Sequence, residues 1–222
     1  MTDYADTRAR VEHYFDRTAT RVWDRLTSDA PVSRIRQTVR EGRDRMRAIM
    51  LGQLPQDLAG ARVLDAGCGT GMMTAELATR GADVVAVDIS PQLISIAQQR
   101  LDPRLSPKVS FRSGDMTDPA LGAFDYVLAM DSLIYYRAGD IADILSRLGE
   151  RTGDAVVFTV APRTPFLMTF FTLGKAFPRS DRSPTMIPHA FAPLSRRIGP
   201  GLSRVERVSR GFYISECLEF RP

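Results

Sequence analysis

The 222-residue sequence predicts one α/β domain, a doubly wound and mostly parallel seven-stranded sheet behind an N-terminal helical cap, closed by an antiparallel hairpin. Three observations predict it. Beyond Pro55, short apolar runs alternate with amphipathic stretches, the pattern of parallel strands joined by crossover helices. A glycine-rich turn, Gly67-Cys68-Gly69-Thr70-Gly71, follows the first of these runs and opens the first helix. At the end of the chain, VERVSRGFYISECLEF splits into two strand-like runs about Gly211.

The elements follow in order. From Thr7 to Leu26, Val11, Tyr14, Phe15, Val22, Trp23 and Leu26 recur at helical spacing and read as two short helices. Past Pro31, Val32 to Leu54 carries a stripe of Ile35, Val39, Met46, Ile49 and Met50 amid arginines, a further helix. Strands are expected at Arg62–Asp65, Asp83–Asp88, Val109–Ser113, Asp125–Met130 and Ala155–Ala161, with helices at Met72–Arg80, Pro91–Leu101 and Ala138–Leu148. The chain thus divides into a cap (1–55), a core (56–161), an added segment (162–200) and the hairpin (201–222) of a single domain. In the added segment, Phe166 to Phe177 is strongly apolar but shorter than the about 20 residues that cross a bilayer. It reads as a buried helix, a lid, or a segment lying on a membrane surface.

Composition bounds the function. A hydrophobic fraction of 44% supports a real core. Cys68 and Cys217 lie far apart and match no metal or disulfide framework, which points to a reducing, cytoplasmic compartment. The polar start MTDYADTRAR is neither a signal peptide nor a membrane anchor. The formal charge of +4 hides a division. Residues 1–50 carry 11 arginines against 8 acids, 51–150 carry 8 basic residues against 13 acids, and 151–222 carry 11 against 5. Basic ends flanking an acidic middle, with no reading module, argue against a nucleic-acid partner. Lys108 and Lys175 are the only lysines; arginine grips carboxylates and phosphates in a planar fork, although an Arg-rich genome accounts for part of the bias.

The chemistry centres on Val63-Leu64-Asp65-Ala66-Gly67-Cys68-Gly69-Thr70-Gly71. Gly67, Gly69 and Gly71 let the backbone approach a ligand, and they fall as G-x-G-x-G rather than the G-x-G-x-x-G of dinucleotide binders. Asp65, two residues before Gly67, would repel a pyrophosphate at the helix N-terminus but suits a ligand bearing an ammonium and a sulfonium. That favours S-adenosylmethionine over a nicotinamide dinucleotide. Asp88, ahead of Ile89, ends the second strand, where one carboxylate accepts from both hydroxyls of a ribose. Asp115 is placed to accept from an adenine amino group while Met116 packs near the ring, and the fourth strand ends at Met130 in the same crevice.

Together these four strand ends resemble the Rossmann-like class I S-adenosylmethionine-dependent methyltransferases over residues 60–160. The flanks YFDRTATRVWDRL, IRQTVREGRDRM, MDSLIYY and FPRSDRSP resemble one family within that class, the magnesium-protoporphyrin IX O-methyltransferases of chlorophyll and bacteriochlorophyll synthesis, with the bacteriochlorophyll branch the better match. The resemblance implies esterification of one propionate of the magnesium porphyrin, cooperation with the magnesium chelatase subunit that delivers it, and peripheral association with membrane. The magnesium belongs to the substrate; no cluster of His, Cys or acids forms a protein metal site.

A propionate is ionised at neutral pH, so the nucleophile needs no general base. Other branches of the family carry a histidine at the position of Tyr135. Here the Tyr135 hydroxyl, the expected catalytic group, becomes a hydrogen-bond donor that orients the carboxylate. Tyr14, Trp23 and Tyr136 offer flat apolar surface to a macrocycle, and Arg163, Arg179 and Arg182 are candidates for its propionates. His13 and His189 read as structural or exposed. Two alternatives stand beside this reading: a methyltransferase for another hydrophobic acceptor, such as a quinone or small carboxylic acid, and a non-catalytic tetrapyrrole carrier.

Overall fold

A computed structural model of the chain describes residues 4–14, 34–165, 167–169 and 186–222. Its centre is one seven-stranded sheet of order β3-β2-β1-β4-β5-β7-β6. In chain order the elements are α1 (Tyr4–Tyr14), α2 (Arg34–Leu51), β1 (Arg62–Ala66), α3 (Met72–Thr79), β2 (Asp83–Asp88), α4 (Pro91–Arg100), β3 (Val109–Ser113) and β4 (Phe124–Ala129). There follow α5 (Ala138–Gly149), β5 (Thr152–Val160), α6 (Phe191–Ile198), β6 (Leu202–Arg210) and β7 (Tyr213–Phe220). The first five strands pair in parallel, whereas β7 runs antiparallel to β5 and to β6.

Alternation along the strands explains the two layers. Leu64, Val85, Val87, Val127, Val156 and Phe158 point into one core with α5 and α6, whereas Val63, Val84, Ala86, Leu128 and Val157 point into the other with α2 and α3. Central strands buried on both faces read as continuous apolar runs, which is why β1, β2 and β4 stand out in the sequence. Order 3-2-1-4 reverses direction between β1 and β4, so their carboxyl ends open a crevice at the switch point, where such sheets take ligands.

Differences from the expected elements have local causes. Helix α2 stops at Leu51, before Gly52, and β5 begins at Thr152, whose hydroxyl donates back to Leu148 O at 2.7 Å. The hairpin starts at Leu202 rather than Val205, because the edge strand β6 buries only Leu202 and Val208 and carries a weak apolar signal. The segment 162–200 is more than an appendage. Pro162 bridges His189, and α6 sets Leu194 into the main core at 1% exposure. The apolar run from Phe166 to Phe177 and the stretch around Trp23 lie, in the main, outside the described residues.

Helix α2 lies across the hairpin. Arg45 pairs with Glu206 at 2.8 Å and Arg210 with Glu41 at 2.9 Å, both in the open, and Gly42 sits so close to Tyr213 that a Cβ would come within 2.7 Å of the ring. The exposed ion pairs add little. The close approach matters more, because it fixes the face that α2 turns toward the crevice.

Candidate active site

The turn after β1 is built by backbone hydrogen bonds to β2. Gly67 and Cys68 both donate to Val87 O, at 2.7 and 3.0 Å, and Gly69 N donates to Asp88 Oδ2 at 2.8 Å. Gly67 has φ +84°, and a Cβ there would stand 2.5 Å from Ser132 Cβ; at Gly69, φ +55°, a Cβ would meet open space. Glycine is thus demanded at 67 by both backbone and neighbour, while at 69 it leaves room for something outside the protein. Gly67→Ala is expected to lower the stability of the chain by about 2 kcal/mol or more, the sum of a left-handed alanine and an overpacked Ser132. Thermal unfolding checks it; an unchanged midpoint would contradict this account of the turn.

Around the turn opens a cavity of about 890 Å³ counted to its open mouth. Of the cofactor residues expected from sequence, Asp65, Gly67, Gly69, Asp88, Ile89, Met116 and Met130 line it, and so do Tyr135 and Tyr136. Asp65 is buried at the floor and accepts from Thr74 Oγ1 at 2.6 Å. Burial pushes its carboxyl from 3.8 up to about 7, and the charge of Asp88 adds to the rise against the Thr74 hydrogen bond. Asp88 is immobilised from both sides, Oδ1 accepting from Ser90 N at 2.9 Å, while Ser90 Oγ caps α4.

Two expected residues stand outside the lining. Gly71 is the N-cap of α3 and faces Ala97 of α4 instead, its virtual Cβ 3.0 Å from that methyl. Asp115 is taken up by α1: Oδ1 accepts from the Tyr4 hydroxyl and from the amide and hydroxyl of Thr117, each at 2.8 Å, and Oδ2 accepts from Arg8 at 2.8 Å. Burial works to raise its pKa, but these donors together hold the carboxyl below its ordinary value. The carboxylate expected to read an adenine is therefore also the dock of the N-terminal helix. The same helix stacks Tyr4 on Tyr136, ring centroids 5.3 Å apart, and sends Val11 into the cavity lining.

Tyr135 lines the cavity. Burial, reinforced by the charge of Asp131, pushes its hydroxyl well above the ordinary phenol value, so it stays protonated and able to donate. Tyr136 is buried and stiffened by Tyr4. His189 is buried, its Nε2 within 2.9 Å of Tyr136 O, a structural position. Tyr14 is half-buried at the end of α1 but does not line the cavity. Arg163 is exposed beyond β5 and is not among the residues that line the cavity. Trp23, Arg179 and Arg182 lie outside the described residues.

The lining also contains residues that sequence reasoning passed over: Arg43 and Arg47 of α2, and Asp131 and Ser132 after β4. For the two arginines the available signal was their spacing in GRDRMR, four apart and hence on one helix face.

The site can be matched to a cofactor by its donors. Among the described residues, the buried acid at the floor has a raised pKa with no cation among its causes, the Ser132 hydroxyl oxygen is buried with no hydrogen-bond partner, and open space lies over Gly69. These features suit a ligand with an ammonium and a carboxylate, as S-adenosylmethionine has.

Comparison with known proteins bears on the acceptor. The chain is 69% identical, over its full 222 residues and 99% of the relative, to magnesium-protoporphyrin O-methyltransferase of Rhodobacter capsulatus. It belongs to the magnesium-protoporphyrin O-methyltransferase family. The family's C-terminal region, described as "Magnesium-protoporphyrin IX methyltransferase C-terminus", matches residues 129–222, and a general methyltransferase domain matches 63–152. The structure superposes on the crystal structure of magnesium protoporphyrin IX methyltransferase from Synechocystis with bound SAH, at TM-score 0.81 and 28% identity, over 97% of this chain and all of that one. A ubiquinone biosynthesis O-methyltransferase of Xanthomonas oryzae is 41% identical, but over only 35% of this chain and 33% of its own length. The likeness to the porphyrin enzymes extends over the whole of this family member, beyond the general methyltransferase domain.

Proposed function

We propose that this chain transfers a methyl group from S-adenosylmethionine to a propionate carboxylate of magnesium protoporphyrin IX, giving the monomethyl ester in bacteriochlorophyll synthesis. The observation that carries the reading is full-length identity of 69% to the Rhodobacter capsulatus enzyme, joined to a cavity that unites Asp65, Asp88 and the glycine turn with Tyr135. The test is transfer of labelled methyl to magnesium protoporphyrin by the purified protein; absence of labelled ester sinks the reading.

S-adenosylmethionine supplies an electrophilic methyl on a sulfonium. The protein's residues supply position. Asp65 faces the ammonium, Asp88 the ribose, and Met116 packs by the adenine, while Asp115 acts indirectly by docking α1 over the site. Arg47, beside Met72 at the start of α3, is placed for the methionyl carboxylate, its Nη1 3.9 Å from the Met72 sulfur. An ionised propionate oxygen then attacks the methyl carbon as the carbon–sulfur bond breaks, and no proton moves. Holding that oxygen in line is worth several kcal/mol as orientation. Charge disappears in the transition state, so exclusion of water by α1 and the apolar wall helps.

Within this scheme Tyr135 donates to the propionate and sets its angle. Tyr135→Phe is expected to lower kcat by about ten-fold, the worth of one hydrogen bond to a charged group, while the affinity for S-adenosylhomocysteine stays unchanged. Steady-state kinetics with calorimetry checks this; an unaltered kcat removes the role. Tyr136, in the cavity lining, is assigned to the macrocycle; the same role for Tyr14, Trp23, Arg179 and Arg182 rests on the sequence. Family membership further supports delivery of the porphyrin by a magnesium chelatase subunit. Peripheral contact with anionic lipid draws on the basic chain ends, each basic residue near such a surface contributing about 1 kcal/mol. Among the described residues no helix is long and apolar enough to cross a membrane.

A further inference from the structure

Helix α2 turns two arginines toward the cavity, one helical turn apart, and they take different partners. Arg47 pairs with Asp44 at 2.6 Å and reaches Met72, at the glycine-turn end. Arg43, one turn earlier, donates from Nη1 to Asp131 Oδ2 at 2.7 Å, and both line the cavity with Met130 and Tyr135. Only 18% of the Arg43 side chain and 8% of Asp131 are exposed, so the pair is held by its surroundings rather than by chance at a surface.

Asp131 is unusual in itself. It is the one non-glycine residue with positive φ, +56°, among the described residues, a conformation that persists only where neighbours over-determine it. Those neighbours are visible. Its amide donates to Thr159 Oγ1 at 2.7 Å, and Oδ1 accepts from Tyr213 Oη at 3.0 Å and from Thr159 Oγ1 at 3.3 Å. Gly42, next to Arg43, lets α2 settle onto the ring of the same Tyr213. Strands β4 and β5, the hairpin and α2 therefore converge on one strained acid whose outward product is the aim of a single guanidinium.

With Arg47 assigned to the methionyl carboxylate, Arg43 is a second cation in the lining, near enough to Tyr135 for its charge to act on that hydroxyl, and an anionic nucleophile needs such a partner. We propose that Arg43, aimed by Asp131 and Tyr213, binds the reacting carboxylate of the acceptor, so that the C-terminal hairpin is part of the acceptor site. The assignment rests on the propionate reading above. A bare cation would grip the carboxylate but draw its electrons away from the methyl. Arg43 carrying Asp131 is close to neutral as a pair, and it still presents N–H donors in a fixed fork.

The test compares binding of magnesium protoporphyrin IX, with two carboxylates, and its dimethyl ester, with none, to protein saturated with S-adenosylhomocysteine, followed by porphyrin fluorescence. Arg43→Gln is expected to lose about ten-fold of the preference for the diacid, the worth of a charge-assisted hydrogen bond, while S-adenosylhomocysteine affinity stays within about two-fold. Arg43→Lys, which keeps a charge beside Asp131, guards against a folding defect and should recover part of the preference. Asp131→Asn should raise KM for the porphyrin more than it lowers cofactor affinity. A preference unchanged in Arg43→Gln, or cofactor affinity falling as far as porphyrin affinity, overturns the assignment. Wild-type protein that makes no ester overturns the reading of function as well; active wild type with an indifferent Arg43 overturns only the role of Arg43.

Discussion

At pH 8 the cofactor-free Asp65→Asn variant is expected to unfold at a higher temperature than the parent, and at pH 4 at nearly the same temperature. Asp65 sits fully buried at the end of β1, and removal from water raises its carboxyl from 3.8 to about 7. Below the lower value the group is neutral in both folded and unfolded chains. Between the two, the folded chain holds a proton that the unfolded chain has lost, so stability falls as pH rises; above about 7 the folded chain carries the full cost of a buried charge. At about 1.4 kcal/mol per pH unit, that cost is on the order of 4 kcal/mol. Asparagine removes the charge and keeps an oxygen for the Thr74 hydroxyl.

With cofactor present the order reverses. A neutral Asp65 cannot pair with an ammonium, so the parent's affinity for S-adenosylmethionine should climb between pH 5.5 and 7, and the Asn variant should bind more weakly with a flat acid limb. The ammonium's own ionisation, near 7.7–8.0 for an α-amino group, limits the rise on the alkaline side. Unfolding scans at two pH values and calorimetry across the range read both effects. Equal midpoints for parent and variant at pH 8 would mean that Asp65 bears no such burden. A site that is costly when empty and relieved when filled is the expected signature of pre-organisation for a cation.

The parts of the fold that were legible from sequence are those whose signal is local. Asp83–Asp88 and Val109–Ser113 match the expected bounds to the residue: the first is a valine-rich run that needs no partner to be recognised, and the second alternates Val109 and Phe111 with polar residues ahead of Gly114. The glycine turn and Asp88 were legible for the same reason. The roles that escaped depend on distant chain. Arg43 looks like any solvating arginine until Tyr213 and Asp131, 170 and 88 residues further on, set its aim. Asp115 was recognisable as a strand-end acid, but its docking to Tyr4 and Arg8 joins residues 111 and 107 apart. Helix α6 was absorbed into the added segment because Pro188 and Pro193 punctuate it, although Phe191, Leu194 and Ile198 fall on one face.

Asp88→Ala is expected to weaken binding of S-adenosylhomocysteine by about 2–3 kcal/mol, or roughly 30- to 150-fold, through loss of two charge-assisted hydrogen bonds to the ribose. The structure adds a second consequence. The same carboxylate accepts from Gly69 N at 2.8 Å and Ser90 N at 2.9 Å, so alanine leaves both amides without that acceptor and should cost a further 1–2 kcal/mol or so of stability. Asparagine is no milder, since its amide group must face one of those two N–H donors. Calorimetry and unfolding of the cofactor-free variant separate the effects: a chain that folds, melts several degrees lower and binds at least ten-fold more weakly fits both roles. Unchanged affinity would mean that Asp88 serves the turn alone. The sheet-end acid that addresses the ligand also shapes the loop that receives it, and a single substitution at this position therefore removes a ligand contact and the geometry of its neighbours together.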